Sequence, residues 1–379
     1  MDPAAQATAA DRHPDQRRIK VAVVFGGRSS EHAISCISAG SILGAIDRDR
    51  YEVIPVGITT DGRWVIEQDD PAALRIVDGA LPAVGGAGSH VVLAGDPTHR
   101  GLDVQATAAG VLSEVDVVFP VLHGPWGEDG TIQGLLELAG IPYVGSGVFA
   151  SAACMDKGHM KAALAGAGLE VGPYEVVTAR QWADDRDDVL ARIGRLALPV
   201  FVKPARAGSS VGITRVTDPA GLAEAIETAR QHDPRVIVEE GFTGIREVEC
   251  GVLDGPEGAR ASVCAEIAVR PGKDFYDFEA KYLEDAAELT VPADLPPEVA
   301  DEVRRLAIQA FEGLTCEGLA RVDFFVTEDG RAVVNELNTM PGFTSISMFP
   351  QVWQASGMTY AELIDHLIRD ALRRGTGLR

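Results

Sequence analysis

The sequence predicts an α/β fold whose C-terminal part is α+β, divided into three domains. At the start of the chain a strand, a turn, a helix and a second strand follow one another, which is typical of an open and mostly parallel sheet. The pattern changes near residue 147, and after residue 240 two strand-like runs follow without a helix between them. We expect a disordered tail at 1–18, an N-terminal α/β domain at 19–146, a central domain at 147–239 and a C-terminal domain at 240–379.

The elements of the N-terminal domain are predicted from short apolar runs and turn signals. The first strand, at 19–25, stops at a Gly-Gly pair, and the helix at 31–43 takes Ser29 or Ser30 as its N-cap. The segment 67–105 is rich in Gly, Ala and Pro and weakly periodic, which favours an inserted lid or surface excursion. The other predicted elements are strands at 51–58, 115–121 and 141–144 and a helix at 131–139.

The rest of the chain is interpreted in the same way. The predicted helix at 297–313 has apolar residues at spacings of three and four, a stripe that faces a core. This stripe consists of Val299, Val303, Leu306, Ala310 and Leu314. The other predicted elements are helices at 150–165, 219–231 and 360–374, strands at 174–177, 200–203 and 236–239, a glycine-serine loop at 207–212, and antiparallel strands at 248–253 and 261–269.

Composition excludes several classes of partner. The chain carries 34 Lys and Arg against 56 Asp and Glu, a formal net charge of −22. It lacks the basic face that nucleic acid or an anionic membrane requires, so we expect neither partner. No apolar run reaches the roughly 18 residues of a membrane span, and the start lacks the apolar stretch of a signal peptide. Five cysteines without a C-x-x-C pair favour a reducing cytoplasm and no structural zinc.

A predicted hairpin carries the clearest chemistry. Two strand-like runs meet at Asp329-Gly330, a strong signal for a type I′ turn. A turn centred there places Asp323 opposite Glu336 and Arg321 opposite Asn338, with all four on one face. Facing carboxylates repel unless a cation lies between them, and two acids with an amide are oxygen ligands suited to Mg²⁺. The alternative is a solvated hairpin face without function.

A second segment has the features of a phosphate site. A strand delivers Lys203, one of only six lysines among the 34 basic residues, beside the loop at 207–212. The small residues of that loop let backbone N–H groups approach phosphate oxygens. The spacing fits neither a Walker A loop nor a dinucleotide fingerprint, and a glycine-rich hairpin without function is the alternative.

Seven segments together resemble the ATP-grasp superfamily, and the match narrows to the D-alanine:D-alanine ligases. The resemblance spans about 355 residues, from Ile19 to the last helix. Seven matches in this order are very unlikely to arise by chance. The segments are Gly26-Gly-Arg-Ser-Ser-Glu31, His123-Gly-Pro-Trp-Gly-Glu-Asp-Gly130, Met155-Asp-Lys157, Val202-Lys-Pro204 with Gly208-Ser-Ser-Val-Gly212, Glu279-Ala-Lys-Tyr282, Arg321-Val-Asp323, and the run from Asn335 to Ser347.

The resemblance implies a three-domain ATP-grasp architecture with a Rossmann-like N-terminal domain. It also implies an ADP-forming ligase that joins two D-alanine molecules through an acyl phosphate and a tetrahedral intermediate, for peptidoglycan synthesis. ATP is the co-substrate, with two Mg²⁺ ions for which Mn²⁺ substitutes, and the enzyme is expected to be a cytoplasmic homodimer.

Site residues follow from the resemblance position by position. A strand-borne lysine from each side of the central domain, Lys157 and Lys203, is expected to reach the phosphates of ATP. The remaining ATP-binding positions are Gly208, Ser209, Ser210, Glu239, Glu247 and Lys281. Catalytic positions are Glu31, Ser209, Tyr282, Arg321, Gly342 and Ser347, substrate-binding positions are Glu31, His123, Arg321 and Ser347, and metal ligands are Asp323, Glu336 and Asn338.

Three other readings are weighed against this one. A D-alanine:D-lactate or D-alanine:D-serine ligase shares the fold, although Tyr282 favours a peptide-forming enzyme over the D-lactate type. Another ATP-grasp ligase, such as a carboxylase, is disfavoured by Glu31 and His123. A catalytically silent nucleotide-binding regulator would be expected to lose one of the three predicted metal ligands, and none is lost.

Overall fold

The structure of the chain is a computed structural model. It describes residues 17–93, 95, 97–98, 115–208, 211–269 and 287–377, together with the backbone of 102–104 and 111–112. Of the predicted tail at 1–18, only Arg17 and Arg18 lie within these residues. Arg17 bonds Asp116 at 2.6 Å, and Arg18 bonds the carbonyl oxygen of Arg48.

A mostly parallel sheet forms the N-terminal part. Strand β1 pairs in parallel with β2 on one side and with β7 on the other, and β3 adds antiparallel to β2. A second, small sheet has the order β4, β5, β6. The elements are β1 Ile19–Gly26, α1 His32–Ala45, β2 Tyr51–Ile58, β3 Trp64–Ile66, β4 Val91–Leu93, β5 Leu102–Val104, β6 Val111–Leu112, β7 Val117–Val121 and α2 Thr131–Ala139.

The central part is an antiparallel sheet covered by helices. Its strand order is β10, β9, β11, β8, and a short 3₁₀ turn at Pro219–Gly221 precedes helix α7. The elements are α3 Val148–Met155, α4 Lys157–Gly166, β8 Tyr174–Val177, α5 Ala179–Asp184, α6 Arg186–Ile193, β9 Val200–Pro204, β10 Thr214–Val216, α7 Leu222–Arg230 and β11 Val236–Glu240.

A five-stranded antiparallel sheet forms the C-terminal part, in the order β14, β13, β12, β15, β16. Pairing of β12 with β13 confirms the antiparallel strands predicted there. The elements are β12 Ile245–Leu253, β13 Arg260–Val269, β14 Ala287–Thr290, α8 Pro297–Gly313, β15 Leu319–Thr327, β16 Ala332–Asn338, α9 Met348–Ala355 and α10 Tyr360–Arg374.

The apolar stripe predicted on helix α8 is confirmed. Val303, Ala310 and Leu314 are buried, and Val299 and Leu306 pack against the same cluster. That cluster also takes in α3 and α4, so these two helices share a core with the C-terminal sheet. The domain boundaries at 146/147 and 239/240 stay predictions.

The predicted cap of helix α1 is wrong. The helix starts after Glu31, and no side chain caps it. The Ser29 hydroxyl donates 2.7 Å to the carbonyl oxygen of His123 instead. The serine therefore ties two loops together rather than closing the helix.

The single helix predicted at 150–165 is two helices. Asp156 is extended between α3 and α4, and its carboxylate accepts bonds from the N–H groups of Gly158 and His159, each 3.1 Å long. Arg235 lies 3.3 Å from the same carboxylate. Asp156 thus ends helix α3 and caps helix α4, so that Lys157 is the first residue of α4.

The strand predicted at 141–144 reduces to one parallel bridge between Val118 and Tyr143. The N–H of Val118 donates to the carbonyl oxygen of Pro142, and the N–H of Val144 donates to the carbonyl oxygen of Val118. Pro142 has no N–H to extend the ladder.

The segment predicted as an excursion is anchored to the first core. Leu74 and Val84 are buried in the cluster that includes β1, α1 and β7. The N–H of Val84 donates to His32 Nε2 at 3.1 Å. The end of the predicted segment, at 94, 96, 99–101 and 105, lies outside the described residues.

The cluster under the first sheet also joins the two ends of the chain. It contains Phe25 and Phe119 from the first sheet and Trp353, Leu363 and Leu367 from helices α9 and α10. Among the described residues, no helix is both long and apolar enough to cross a bilayer. All five cysteines are free and buried.

A capping box stabilises the start of helix α10. Removal of this cap tests how far the core shared by the first sheet and helices α9 and α10 depends on helix α10. Thr359 Oγ1 accepts from the Glu362 N–H, and the Glu362 carboxylate accepts from the Thr359 N–H at 2.8 Å. We expect Thr359→Ala to lower the free energy of unfolding by about 1 kcal/mol, measured by urea titration. Thr228→Ala, at an exposed hydroxyl, is the control and should stay within about 0.5 kcal/mol; equal losses would contradict the cap's role.

Candidate active site

One cleft of about 340 Å³ brings most of the predicted site residues together. Residues from the N-terminal, central and C-terminal parts of the chain all contribute to its lining. The predicted residues that line it are Glu31, His123, Lys157, Lys203, Gly208, Glu247, Arg321, Asp323, Glu336, Asn338 and Gly342. Ser209, Ser210, Lys281 and Tyr282 lie outside the described residues.

The hairpin of β15 and β16 has the predicted pairs at the site. Asp323 lies opposite Glu336, and Arg321 lies opposite Asn338. The predicted turn type is wrong, however: Val326 pairs with Ala332, which leaves a longer loop than the two-residue turn.

Two departures from the ideal hairpin cancel at the site. The Gly330 N–H bonds the Thr327 carbonyl oxygen, and Thr327 then bonds Arg331, so the loop has three residues. Such a loop alone would shift every pair by one residue and turn Glu336 to the other face. Asn335 is an extra residue in β16, a β-bulge, and it restores the pairing of Asp323 with Glu336.

Arg321 forms an ion pair with Asp323 in the described structure. Its Nε lies 2.7 Å and its Nη2 2.6 Å from the Asp323 carboxylate. Burial would lower the pKa of Arg321, but Asp323 and Glu249 outweigh burial and hold that pKa well above its usual range. On the neighbouring strand, Glu336 lies 3.9 Å from Lys157 Nζ.

The donors present fit a magnesium site. Asp323 and Glu336 face each other, and the Asn338 amide donates through Nδ2 to Asp323 at 3.1 Å, which leaves its oxygen to face a cation. Among the described residues, no three His, Cys, Asp or Glu side chains are already gathered around one point. Two carboxylates and an amide would therefore need phosphate or water oxygens to complete the shell, as Mg²⁺ sites in proteins commonly do.

The lysines lie on the other wall. Lys203 Nζ is 2.7 Å from the Glu239 carboxylate, and Lys161 Nζ is 2.7 Å from the other oxygen of the same group. Lys157 Nζ donates to the carbonyl oxygen of Ala207 at 3.0 Å. Lys157 is the first residue of helix α4, so the expectation of two strand-borne lysines is wrong for this one.

Glu239 does not line the cleft but supports it from beneath. Burial would raise the pKa of its carboxyl, but Lys203 and Lys161 outweigh burial and hold that pKa far below its usual range. The carboxylate is therefore ionised at neutral pH, and its charge raises the pKa of Lys203.

Sequence reasoning missed Lys161, which is buried. Besides its ion pair with Glu239, it donates 3.2 Å to the carbonyl oxygen of Asn335, the bulged residue of β16. Its spacing of four residues from Lys157 on one helix face is the signal that could have found it. Glu128 and Glu249 also line the cleft and were not predicted.

Glu31 lies at the contact between two loops. A β-carbon at Gly124 would come 2.7 Å from its Oε2, and one at Gly208 would come 2.8 Å from the same atom. A side chain at either glycine would displace the Glu31 carboxylate, and Gly124 also has a φ of +74°. The predicted loop at 207–212 thus reaches the N-terminal domain through Gly208.

His123 is buried and both of its ring nitrogens have protein neighbours. Nδ1 lies 3.1 Å from the carbonyl oxygen of Met340, and Nε2 lies 3.5 Å from the Ser38 hydroxyl. Burial lowers the pKa of His123, but the carboxylates of Glu128 and Glu31 outweigh it and raise that pKa above its usual value. Its role in substrate binding stays a prediction.

Ser347 lies apart from the cleft lining. It precedes helix α9, and its hydroxyl accepts from the Thr344 N–H at 3.1 Å and lies 2.7 Å from the Thr344 hydroxyl. Gly342, on the same loop, does line the cleft.

The arrangement as a whole sets cations against carboxylates across a narrow space, which suits a polyphosphate held together with a divalent cation.

Two family models match most of the chain. Residues 20–146 match the family model described as D-ala D-ala ligase N-terminus, and residues 163–369 match the one described as D-ala D-ala ligase C-terminus. The chain is 58% identical to the D-alanine–D-alanine ligase of Rhodococcus opacus (strain B4), over 96% of this chain and 99% of that protein. It is 55% identical to that of Streptomyces avermitilis, over 97% and 98%.

Solved structures show the same likeness. The VanG D-Ala:D-Ser ligase from Enterococcus faecalis has a TM-score of 0.82 at 34% identity, with 94% of this chain and 100% of that one covered. The D-alanine-D-alanine ligase from Coxiella burnetii has a TM-score of 0.80 at 33% identity, with 94% of each chain covered.

The depressed pKa of Glu239 predicts a pH signature. A carboxylate of this kind stabilises the folded state above its ordinary pKa of 4.5, and the stabilisation is lost as the pH falls toward the lower folded value. We expect Glu239→Gln to lower the free energy of unfolding at pH 7 by about 3 kcal/mol, because two lysines lose their partner. The difference from wild type should shrink below pH 4.5 in urea titrations.

The matched control is Glu224→Gln, at an exposed carboxylate of helix α7. It should follow the wild-type curve at every pH. A difference between Glu239→Gln and wild type that does not change with pH would show that the loss comes from packing rather than from charge.

Proposed function

This chain belongs to the D-alanine–D-alanine ligase family, and from that membership we propose how its cleft performs the reaction. The protein is an ADP-forming ligase of the ATP-grasp fold that joins two D-alanine molecules for cell-wall synthesis. A D-alanine:D-serine or D-alanine:D-lactate activity is not favoured, because the curated relatives at 55–58% identity are D-alanine–D-alanine ligases. One observation carries the proposal: paired lysines and paired carboxylates face the same cleft.

ATP binds with its phosphates between the two walls. Lys157 and Lys203 contact phosphate oxygens as compact cations, a role in which arginine is not equivalent. Gly208, Ser209, Ser210 and Lys281 also belong to the proposed ATP-binding set. Glu247, whose side chain is exposed at the cleft, binds the ribose. Glu239, proposed from the sequence as an ATP-binding residue, acts through Lys203.

Asp323, Glu336 and Asn338 hold two Mg²⁺ ions, for which Mn²⁺ substitutes. The facing carboxylates, the bulge that aligns them and the free amide oxygen support this assignment. When bound, the ions neutralise the charge of the β- and γ-phosphates and so favour phosphoryl transfer.

Glu31 binds the ammonium group of the first D-alanine. The carboxylate of that D-alanine attacks the γ-phosphorus, the bond to the β-phosphate oxygen breaks, and an acyl phosphate and ADP result. Ser209 and Tyr282 belong with Glu31 to the proposed catalytic residues, a set expected to keep water from the acyl phosphate. The contact of Glu31 with Gly208, next to Ser209, supports this proposal.

The second D-alanine completes the reaction. Arg321 and Ser347 bind its carboxylate, with His123 nearby, and its amine attacks the carbonyl carbon of the acyl phosphate. Arg321 and the N–H of Gly342 stabilise the oxyanion of the tetrahedral intermediate. The intermediate collapses, the carbon–oxygen bond to phosphate breaks, and the amine proton is released.

We further propose a homodimer in the cytoplasm. Leu138 near the end of α2 and Phe149 at the start of α3 are large apolar side chains that are 69% and 61% exposed, on neighbouring helices. Light scattering after size exclusion should give twice the mass of one chain; the mass of one chain would contradict the dimer.

The substrates are tested by ADP release with ATP and Mg²⁺. D-Alanine alone should give full turnover, and L-alanine should give none. Addition of D-lactate or D-serine to limiting D-alanine should add little ADP release, and mass spectrometry should identify D-alanyl-D-alanine as the product. A preference for D-lactate or D-serine at neutral pH would overturn the assignment.

Replacement of Asp323 tests the metal site. We expect Asp323→Asn to lower kcat by about 100-fold and to raise the Mg²⁺ concentration for half activity by about 10-fold, because one of two facing carboxylates is lost. Circular dichroism should show an intact fold. Glu328→Gln, at the exposed tip of the same hairpin, is the control and should leave both values unchanged; an unaltered Mg²⁺ response in Asp323→Asn would remove Asp323 from the ligand set.

A further inference from the structure

We propose that Glu249 is a positioning residue that holds the Arg321 guanidinium in place when Asp323 turns to a divalent cation. The inference rests on the proposed function, because it takes Arg321 and Asp323 in the roles given there. Neither the motifs of the sequence nor the pairing expected for the hairpin pointed to Glu249.

Glu249 belongs to a row of three carboxylates. It lies on β12 directly opposite Asp323 on β15, and Asp323 lies directly opposite Glu336 on β16. Like charges at facing positions of neighbouring strands repel. A row of this kind across three strands needs cations on both sides of its central member.

Arg321 is the cation on one side. Its guanidinium gives Nε and Nη2 to Asp323, and Nε also lies 3.1 Å from Glu249 Oε2. The side chains of Arg321 and Glu249 are 14% and 9% exposed. Water can therefore replace neither partner easily, and one guanidinium serves two buried carboxylates.

Metal binding creates a conflict for Asp323. Both of its oxygens accept from Arg321 in the described structure, and Oδ2 also accepts from Asn338. A cation between Asp323 and Glu336 must take at least one of these oxygens. Arg321 then loses part of its hold on Asp323, and the other carboxylate near its Nε is that of Glu249, 3.1 Å away.

The proposed chemistry makes this fixed position important. A guanidinium that binds a carboxylate and an oxyanion acts only from one orientation, and a displacement of about 1 Å can cost 100-fold in rate. Glu249 would thus let Asp323 serve the cation without releasing Arg321.

Kinetics form the first half of the test. We expect Glu249→Gln, which keeps the size but removes the charge, to lower kcat by about 10- to 100-fold with KM for ATP changed less than about threefold. Glu249→Asp should recover part of the loss. Glu266→Gln is the matched control, since Glu266 lies on β13 of the same sheet and binds Arg246 at 2.5 and 2.7 Å; its kcat should match wild type.

Spectroscopy forms the second half and does not depend on turnover. In protein labelled with ¹⁵N-arginine, the Nε–Hε signal of Arg321 is identified by its absence in Arg321→Lys. In wild type we expect the signal to persist with ADP and with ADP plus Mg²⁺. In Glu249→Gln it should persist with ADP alone and be lost when Mg²⁺ is added.

Several results would overturn the proposal. Loss of the Arg321 signal in wild type on addition of Mg²⁺ would do so even if no variant folds. Retention of the signal in Glu249→Gln with Mg²⁺, or an unchanged kcat, would do the same. Weakening of Mn²⁺ binding by more than about 10-fold in Glu249→Gln would make Glu249 a ligand instead. Turnover of wild type with D-alanine tests the proposed function separately.

Discussion

Glu239 lies between Lys161 and Lys203, 2.7 Å from each ammonium group, on a strand of the central sheet. A buried carboxylate needs a buried cation, and removal of either partner leaves an uncompensated charge. This requirement joins elements that are far apart in the chain: Lys161 from helix α4, Lys203 from β9 and Glu239 from β11. Lys203 owes its place and its charge to this set.

Lys161 extends the same constraint to the C-terminal sheet. Its ammonium group also donates to Asn335, the extra residue in β16. That bulge sets the register that brings Glu336 opposite Asp323. Lys161 therefore supports both Lys203 on the lysine wall and the residue on which the carboxylate wall depends, so the two walls keep one relative position.

The N-terminal domain is tied to this centre by close contacts. The Glu31 carboxylate lies close against Gly124 and Gly208, and His123 reaches the carbonyl oxygen of Met340 in the C-terminal part. Helices α9 and α10 share a core with the first sheet. Glu31, Lys203 and Arg321 thus line one cleft, although they come from three separate parts of the chain.

The sequence predicts the elements whose pattern lies within one segment. Helix α8 runs over the predicted residues 297–313 because its stripe has a clear helical period. The predicted pair of Asp323 with Glu336 is present only because the bulge at Asn335 offsets the three-residue loop. The sequence does not reveal that bulge, the break at Asp156, or the pairing of Lys161 with Glu239 and of Glu249 with Arg321. The tertiary structure sets these features, because each depends on a charge or a carbonyl group supplied by another element. Spacing along one segment cannot reveal that partner.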